Sequence, residues 1–527
     1  MELIITHATV IDGTGRDAFQ ADVGVDNGKI VLNPIMDSSA TIINGDGKIV
    51  CPGFIDSHSH GDLVCGKDFQ NLCKVSQGIT TEVAGNCGIT LAPINPNTMS
   101  LIYNSGEYSK QADMPNWTTF SNYMQYLDLQ PKALNTALLV GHSTLRTAVM
   151  GYSDRKATPT ELKQMQNYLE EAMLAGAFGM STGLVYIPGT FADTEELLAL
   201  GHVLKKYGGE FTSHMRNESY DVIKSVSEII QIGKQADIPV VISHHKVLGR
   251  PYWGLQKQTL ALIEQAVKQG VQVSCDQYPY TRNMTSTRVC IPPEYFNQDL
   301  AETVELLKRP EIRAEIRSKM EDYKTPYDNY YLNAGGWDGI LVCTSPGVPD
   351  AVGKTIQEYA DSTGQDPFEA YFDLMIQTNC VGHSIFNSMC EDDVLEIASF
   401  EHTVVGTDGD IYSAEDITHP RVYGTFPHAI CYYVKQKKIL TLEQMIHKMT
   451  YQTAQIHHLK NKGAILDGFD ADLVIFDYDQ LQDRATYLNA NLLTDGIEQV
   501  IVNGTIVYEN KRLTGNYPGK ILRHQML

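Results

Sequence analysis

The chain predicts an α/β protein built on a (β/α)8 barrel of the TIM type, joined to a small β-sandwich made by both chain ends. Three observations carry that prediction. Eight short apolar segments, each ending in polar residues, recur along the middle of the chain. Helical patterns separate them. About fifty residues at the start and about seventy at the end are instead rich in short strand-and-turn signals.

In chain order, 3–5, 22–25 and 29–32 read as strands, with a turn at Asp26-Asn27-Gly28. Residues 471–476, 499–502 and 505–508 repeat the pattern at the other end, around the turn Asn503-Gly504. The two ends predict one small sheet domain, 1–50 plus 460–527, with the barrel spanning 51–459. Barrel strands are expected at 53–60, 78–87, 136–142, 177–182, 210–216, 239–246, 271–280 and 403–408. The clearest helix opens Thr158-Pro159-Thr160-Glu161, with an N-cap, a proline at the first helical position and a glutamate at the third. It continues through Leu162, Met165, Leu169 and Met173 on a period near 3.6. About 120 residues separate the seventh strand from the eighth, more than one crossover needs. They include Pro292-Pro293, a charged helical piece (304–324) and aromatic turns. This stretch, about 287–350, reads as an insertion over the barrel mouth, or else as a peripheral decoration.

Composition narrows the function. The formal charge of −22 argues against nucleic acid and anionic membranes as partners. No run of eighteen apolar residues suggests a membrane span, and no basic-then-apolar stretch suggests a signal peptide. Ten scattered cysteines form no C-x-x-C pair, so a cytoplasmic protein with reduced thiols is expected.

In such a barrel, chemistry lies at the C-terminal ends of the strands. Strand one ends Asp56-Ser57-His58-Ser59-His60, and alternation along a strand would place both imidazoles on one face, a start for a divalent metal site. Strand two ends Gly85-Asn86-Cys87-Gly88; Cys87 is either a ligand or a buried apolar filler. Strand five ends Thr212-Ser213-His214-Met215-Arg216-Asn217-Glu218, and strand six ends Ser243-His244-His245-Lys246; each should give one inward imidazole. Alternation puts His244 and Lys246 on one face and His245 on the other, a narrow reason to prefer His244. Strand seven offers Asp276, Tyr278 and Tyr280, and strand three His142, for which a structural hydrogen bond is expected. Strand eight ends at Asp408, either a general base and acid or a cap on the next helix.

Together these motifs resemble the D-aminoacylase (N-acyl-D-amino-acid deacylase) branch of the amidohydrolase superfamily, over nearly the whole chain. The carrying motifs are PGFIDSHSHGD (52–62), GITTEVAGNCGIT (78–90), VGHSTLR (140–146), STGLVYIPG (181–189), SHMRNE (213–218), ISHHK (242–246), DQYPYT (276–281), VGTDG (405–409), HPRVYGTFP (419–427) and KGAILDGFDADLVIFD (462–477). The resemblance implies zinc-dependent hydrolysis of N-acyl-D-amino acids to a D-amino acid and a carboxylate. It implies a tight zinc on Cys87, His214 and His244, and a weaker or empty second position on His58, His60 and the shared Cys87. Asp408 would be the acid/base, Lys246, Tyr278 and Arg421 would hold the substrate carboxylate, and Tyr186 would stand near the scissile amide. Handedness comes from the resemblance alone. Two departures bear on specificity: Met284 stands where serine is common, and Arg282 adds a charge expected near the mouth. Glu401 replaces a common proline before strand eight, a neutral loop change. Rival readings are another amidohydrolase reaction, such as cyclic-amide or dipeptide hydrolysis, and a non-catalytic barrel scaffold.

Overall fold

The structure, a computed structural model, describes residues 1–99, 117–296, 300–409 and 417–525. The chain opens with β1 (Leu3–Val10), β2 (Phe19–Asp26), β3 (Lys29–Leu32), β4 (Thr41–Asn44) and β5 (Ile49–Pro52). Seven parallel strands follow: β6 (Phe54–Asp56), β7 (Ile79–Ala84), β8 (Asn135–Gly141), β9 (Gly179–Gly183), β10 (Glu210–His214), β11 (Val240–Ile242) and β12 (Val273–Gln277). A long excursion carries β13 (Asn283–Ser286), β14 (Ile340–Thr344) and β15 (His383–Phe386) before the eighth barrel strand, β16 (Thr403–Val405). The chain then returns to the terminal sheet with β17 (Leu473–Phe476), β18 (Ile497–Val502), β19 (Thr505–Glu509) and β20 (Arg512–Leu513).

β6 to β12 and β16 pair in parallel in sequence order. The ring closes between β16 and β6: the Ser57 amide donates to the Val405 carbonyl at 3.2 Å, and the Asp408 amide to the His58 carbonyl at 2.8 Å. Alternation along the strands sorts the core. In β8, Leu138 and Val140 pack on the surrounding helices, while Ala137 and Leu139 join Ile55, Val83, Phe178, Ala454 and Leu459 in a separate cluster. The helix Pro159–Ala175 has the expected capping box between Thr158 and Glu161 and buries Met165, Leu169 and Met173. No helix among the described residues is long and apolar enough to cross a membrane.

The terminal strands form one continuous nine-stranded sheet, not two separate sheets. It folds back on itself: the Lys29–Asp470 bridge ties the β3 end to the approach to β17, and side chains from β1, β2, β17 and β18 share one core. The excursion has its own antiparallel sheet, β13-β15-β14, and a core of its own. That core includes Tyr278 and Tyr280 from just past β12, which seats the excursion on the barrel mouth. With β15 at His383–Phe386 it reaches well beyond residue 350.

Candidate metal centre and active site

The chemistry-bearing side chains lie at strand ends or in the turns just past them. β6 ends at Asp56, so strand alternation does not set the directions of His58 and His60. His58 is buried, with Nε2 3.3 Å from the Cys87 sulfur and Nδ1 3.5 Å from Asp276 Oδ2. His60 places Nε2 3.3 Å from Asp408 Oδ1. Cys87 has a left-handed backbone (φ 51°) in the turn after β7. Its neighbour Gly88 is left-handed as well (φ 78°), and a Cβ there would stand 2.7 Å from the Gly183 nitrogen. Only glycine lets this turn approach the end of β9 so closely.

His214 is the last residue of β10, with Nδ1 3.7 Å from the Cys87 sulfur. β11 ends at Ile242, so His244 also sits in a turn (φ 36°), and its Nε2 lies 3.5 Å from that sulfur. Its amide donates to Asp276 Oδ1 at 2.8 Å, which pins the turn. His245 faces away, 2.8 Å from Thr259 Oγ1, and burial pushes its pKa down to about 4. Alternation thus singles out the histidine that stands beside the sulfur, but a pinned left-handed turn, not a strand, puts it there. Asp408 follows β16, again left-handed (φ 49°). Its Oδ1 lies 3.4 Å from His58 Nε2, and its Oδ2 accepts from Arg421 Nη1 at 2.7 Å.

A metal fits this donor set. A sulfur and a nitrogen sharing a tetrahedral zinc, at bond lengths of about 2.3 and 2.05 Å, stand about 3.5 Å apart. The Cys87 sulfur stands 3.3, 3.5 and 3.7 Å from its three imidazole nitrogens. Burial opposes ionisation of the Cys87 thiol. His58 foremost, with hydrogen bonds to His214 and His244, nevertheless holds it well below its ordinary value, in the thiolate form that binds metal. Burial likewise opposes the Asp408 carboxylate, but Arg421, His244, His60 and His58 hold it well below the usual range.

His60, Cys87, His214, His244 and Asp408 line a cavity of about 180 Å³ together with Lys246, Tyr278, Arg421 and Tyr186. Lys246 Nζ pairs with Glu218 Oε1 at 2.7 Å. Arg421 is turned to Asp408, and its Nη2 donates to the Met284 carbonyl at 3.2 Å. The Tyr278 hydroxyl is buried with no hydrogen-bond partner among the described residues, so a polar group of a ligand would satisfy it. The Tyr186 hydroxyl meets Thr285 Oγ1 at 2.9 Å, and its ring stands edge-on to His214. Val185, Ile187, Val289, Ile291 and Phe296 make an apolar wall. Met284 lines the cavity; Arg282 does not, because its guanidinium stacks over Tyr487, 4.6 Å from the ring centroid. The expected charge near the mouth is therefore directed elsewhere.

Two groups escaped the sequence reading of roles: Glu218, behind His214 and His244, and Asp276, behind His58. Asp276 lies on β12 and was noted there without a role, whereas Glu218 lies past the end of β10, where only its place in the motif could have flagged it. His142 pairs with Glu196 at 2.8 Å. Elsewhere Ser57, His457 and Glu210 have the spacing of a nucleophile triad, 2.7 and 2.8 Å. All three are at most 1 % exposed, sealed from any substrate, and so act structurally.

Comparison with known proteins agrees with this geometry. The Amidohydrolase family model matches residues 41–508. A D-aminoacylase of Alcaligenes xylosoxydans xylosoxydans is 34 % identical over 99 % of this chain and 97 % of its own length. A solved D-aminoacylase structure superposes with a TM-score of 0.83 at 34 % identity, covering 99 % of both chains. An N-acyl-D-glutamate deacylase of Bordetella bronchiseptica, solved with zinc and a phosphonate mimic of the tetrahedral intermediate, superposes with a TM-score of 0.82 at 32 % identity and the same coverage. With its barrel, its cysteine-bearing donor set and relatives matched end to end, the chain belongs to the amidohydrolase family, in its D-aminoacylase branch.

Proposed function

We propose that this protein hydrolyses N-acyl-D-amino acids, giving a D-amino acid and a carboxylate. The observation that carries the reading is one cavity that joins the Cys87, His214 and His244 donors to a carboxylate, Asp408, and to the cationic and phenolic groups of Lys246, Arg421 and Tyr278. Cys87, His214 and His244 would hold a tightly bound zinc. His58, His60 and the shared sulfur would make a second, weaker position. Zinc bound there would lower the pKa of water and polarise the scissile carbonyl.

The chain's own residues supply the rest. Asp408, kept ionised by Arg421, takes a proton from the attacking water. When the C–N bond breaks, it passes that proton to the departing amine nitrogen. One water is consumed and no other reactant is needed. Lys246, Tyr278 and Arg421 hold the α-carboxylate by charge and hydrogen bonding. Tyr186 borders the amide, and the apolar wall receives the acyl group or side chain. With carboxylate, amide and side chain all held, the α-carbon is read by handedness. Residues 1–50 with 460–527 form a supporting domain for the barrel of 51–459. The ten cysteines, all free, suit the reducing cytoplasm.

Amine release from paired N-acetyl-D- and N-acetyl-L-amino acids (Met, Leu, Phe, Glu, Asp) tests the reading. Turnover confined to the D set is expected. Zinc-loaded protein that turns over neither set would point instead to a cyclic amide or a dipeptide.

A further inference from the structure

Of the two carboxylates lining the cavity among the described residues, Asp408 has a task in the proposed reaction and Glu218 has none. Glu218 lies four residues past His214 and is 1 % exposed. Its Oε1 stands 3.2 Å from His244 Nδ1, and its Oε2 3.5 Å from His214 Nε2. In each ring this is the nitrogen that does not face the Cys87 sulfur. Neither His214 Nε2 nor Glu218 Oε2 has a hydrogen-bond partner among the described residues, so each faces chiefly the other.

A ligating imidazole keeps one tautomer and one ring angle when a carboxylate holds its far N–H, and loss of such a partner costs about 10–100-fold in metal affinity or activity. His214 must present Nδ1 and His244 must present Nε2, so opposite tautomers are needed within one site. Behind His214 the carboxylate stands alone, whereas behind His244 it shares Nδ1 with Lys246 Nζ, 2.6 Å away. Lys246, 2.7 Å from Oε1, balances its buried charge. Glu218 is itself fixed from several sides. Its amide donates to Asp328 Oδ2 at 2.8 Å, from the excursion, and its carbonyl accepts from the Leu248 amide at 2.7 Å.

We propose that Glu218 is a positioning residue that sets the tautomer and orientation of His214 toward the metal. The inference rests on the zinc site assigned above and goes beyond it. The test is zinc affinity by chelator competition, with the visible spectrum of the cobalt-substituted protein as a second readout. Glu218→Gln should lose ten-fold or more in zinc affinity and shift the cobalt spectrum. Because that variant leaves Lys246 buried and unpaired, the double variant Glu218→Gln/Lys246→Met guards against simple misfolding and should lose as much. Lys246→Met alone, which keeps the carboxylate behind His214, should lose clearly less zinc affinity than either Glu218→Gln variant. Unchanged zinc affinity in a folded double variant overturns the proposal, as does an equal loss in Lys246→Met. Failure of the unaltered protein to bind zinc tightly would instead overturn the site assignment itself.

Discussion

Asp408 meets His58, His60 and Arg421 at once, and each contact favours its ionised form. Asp408→Asn keeps the shape and removes the proton acceptor. It should retain zinc and lose about 100-fold or more in kcat; more than a few per cent of residual activity would count against the acid/base role. His245 offers a prediction about stability. Burial lowers its pKa from 6.5 to about 4, so between those values the unfolded chain binds a proton that the folded chain does not. Stability from this group is therefore lost as pH falls from 6.5 to 4, by about 3 kcal/mol. His245→Gln should flatten the pH slope of the unfolding free energy in that window, and equal slopes would refute the assignment. At this scale the sequence marked Cys87, His214 and Asp408 by their places at strand ends. Glu218 stood in the strand-five motif without a role, because that role comes from a turn that folds back on the strand before it.

The turns, not the strands, do the positioning. Every barrel strand was placed from the sequence, yet strands two, six and eight were expected to continue to residues 87, 246 and 408. They stop at Ala84, Ile242 and Val405. Leaving the ladder early frees the backbone to turn left-handed at Cys87, His244 and Asp408, which alternation does not anticipate. The turn after β7 is the tightest case. Gly88→Ala adds a Cβ that meets backbone in a left-handed position, so it should displace Cys87. Zinc per chain after dialysis against a weak chelator should fall well below that of the unaltered protein; full retention would mean that the turn can shift without cost.

Over the whole molecule, eight strand-like segments separated by helical patterns sufficed to predict the barrel; each strand is buried along its length, although β7, β9, β10 and β12 carry polar residues there. The meeting of both chain ends in one sheet domain was legible, but the full reach of the excursion was not, since pairing between distant segments leaves no local pattern. The donor groups come from the end of β10 and from the turns after β6, β7 and β11, so metal binding should brace these strands of the ring. Zinc at a thousand-fold above its dissociation constant would add about 4 kcal/mol. Chelation should lower the melting temperature and added zinc restore it, in Asp408→Asn as well; no shift would mean that the ring is rigid without metal. The seam between β16 and β6 has one more consequence, for biosynthesis. All the nitrogen and sulfur donors are synthesised by residue 244, whereas Asp408 emerges about 160 residues later, on the order of ten to thirty seconds at usual elongation rates. The strand that brings Asp408 is also the one that shuts the barrel, through its amide bond to the His58 carbonyl. A nascent chain therefore carries the means to capture metal well before it carries the means to cleave an amide, and hydrolysis begins only with the last joint of the ring.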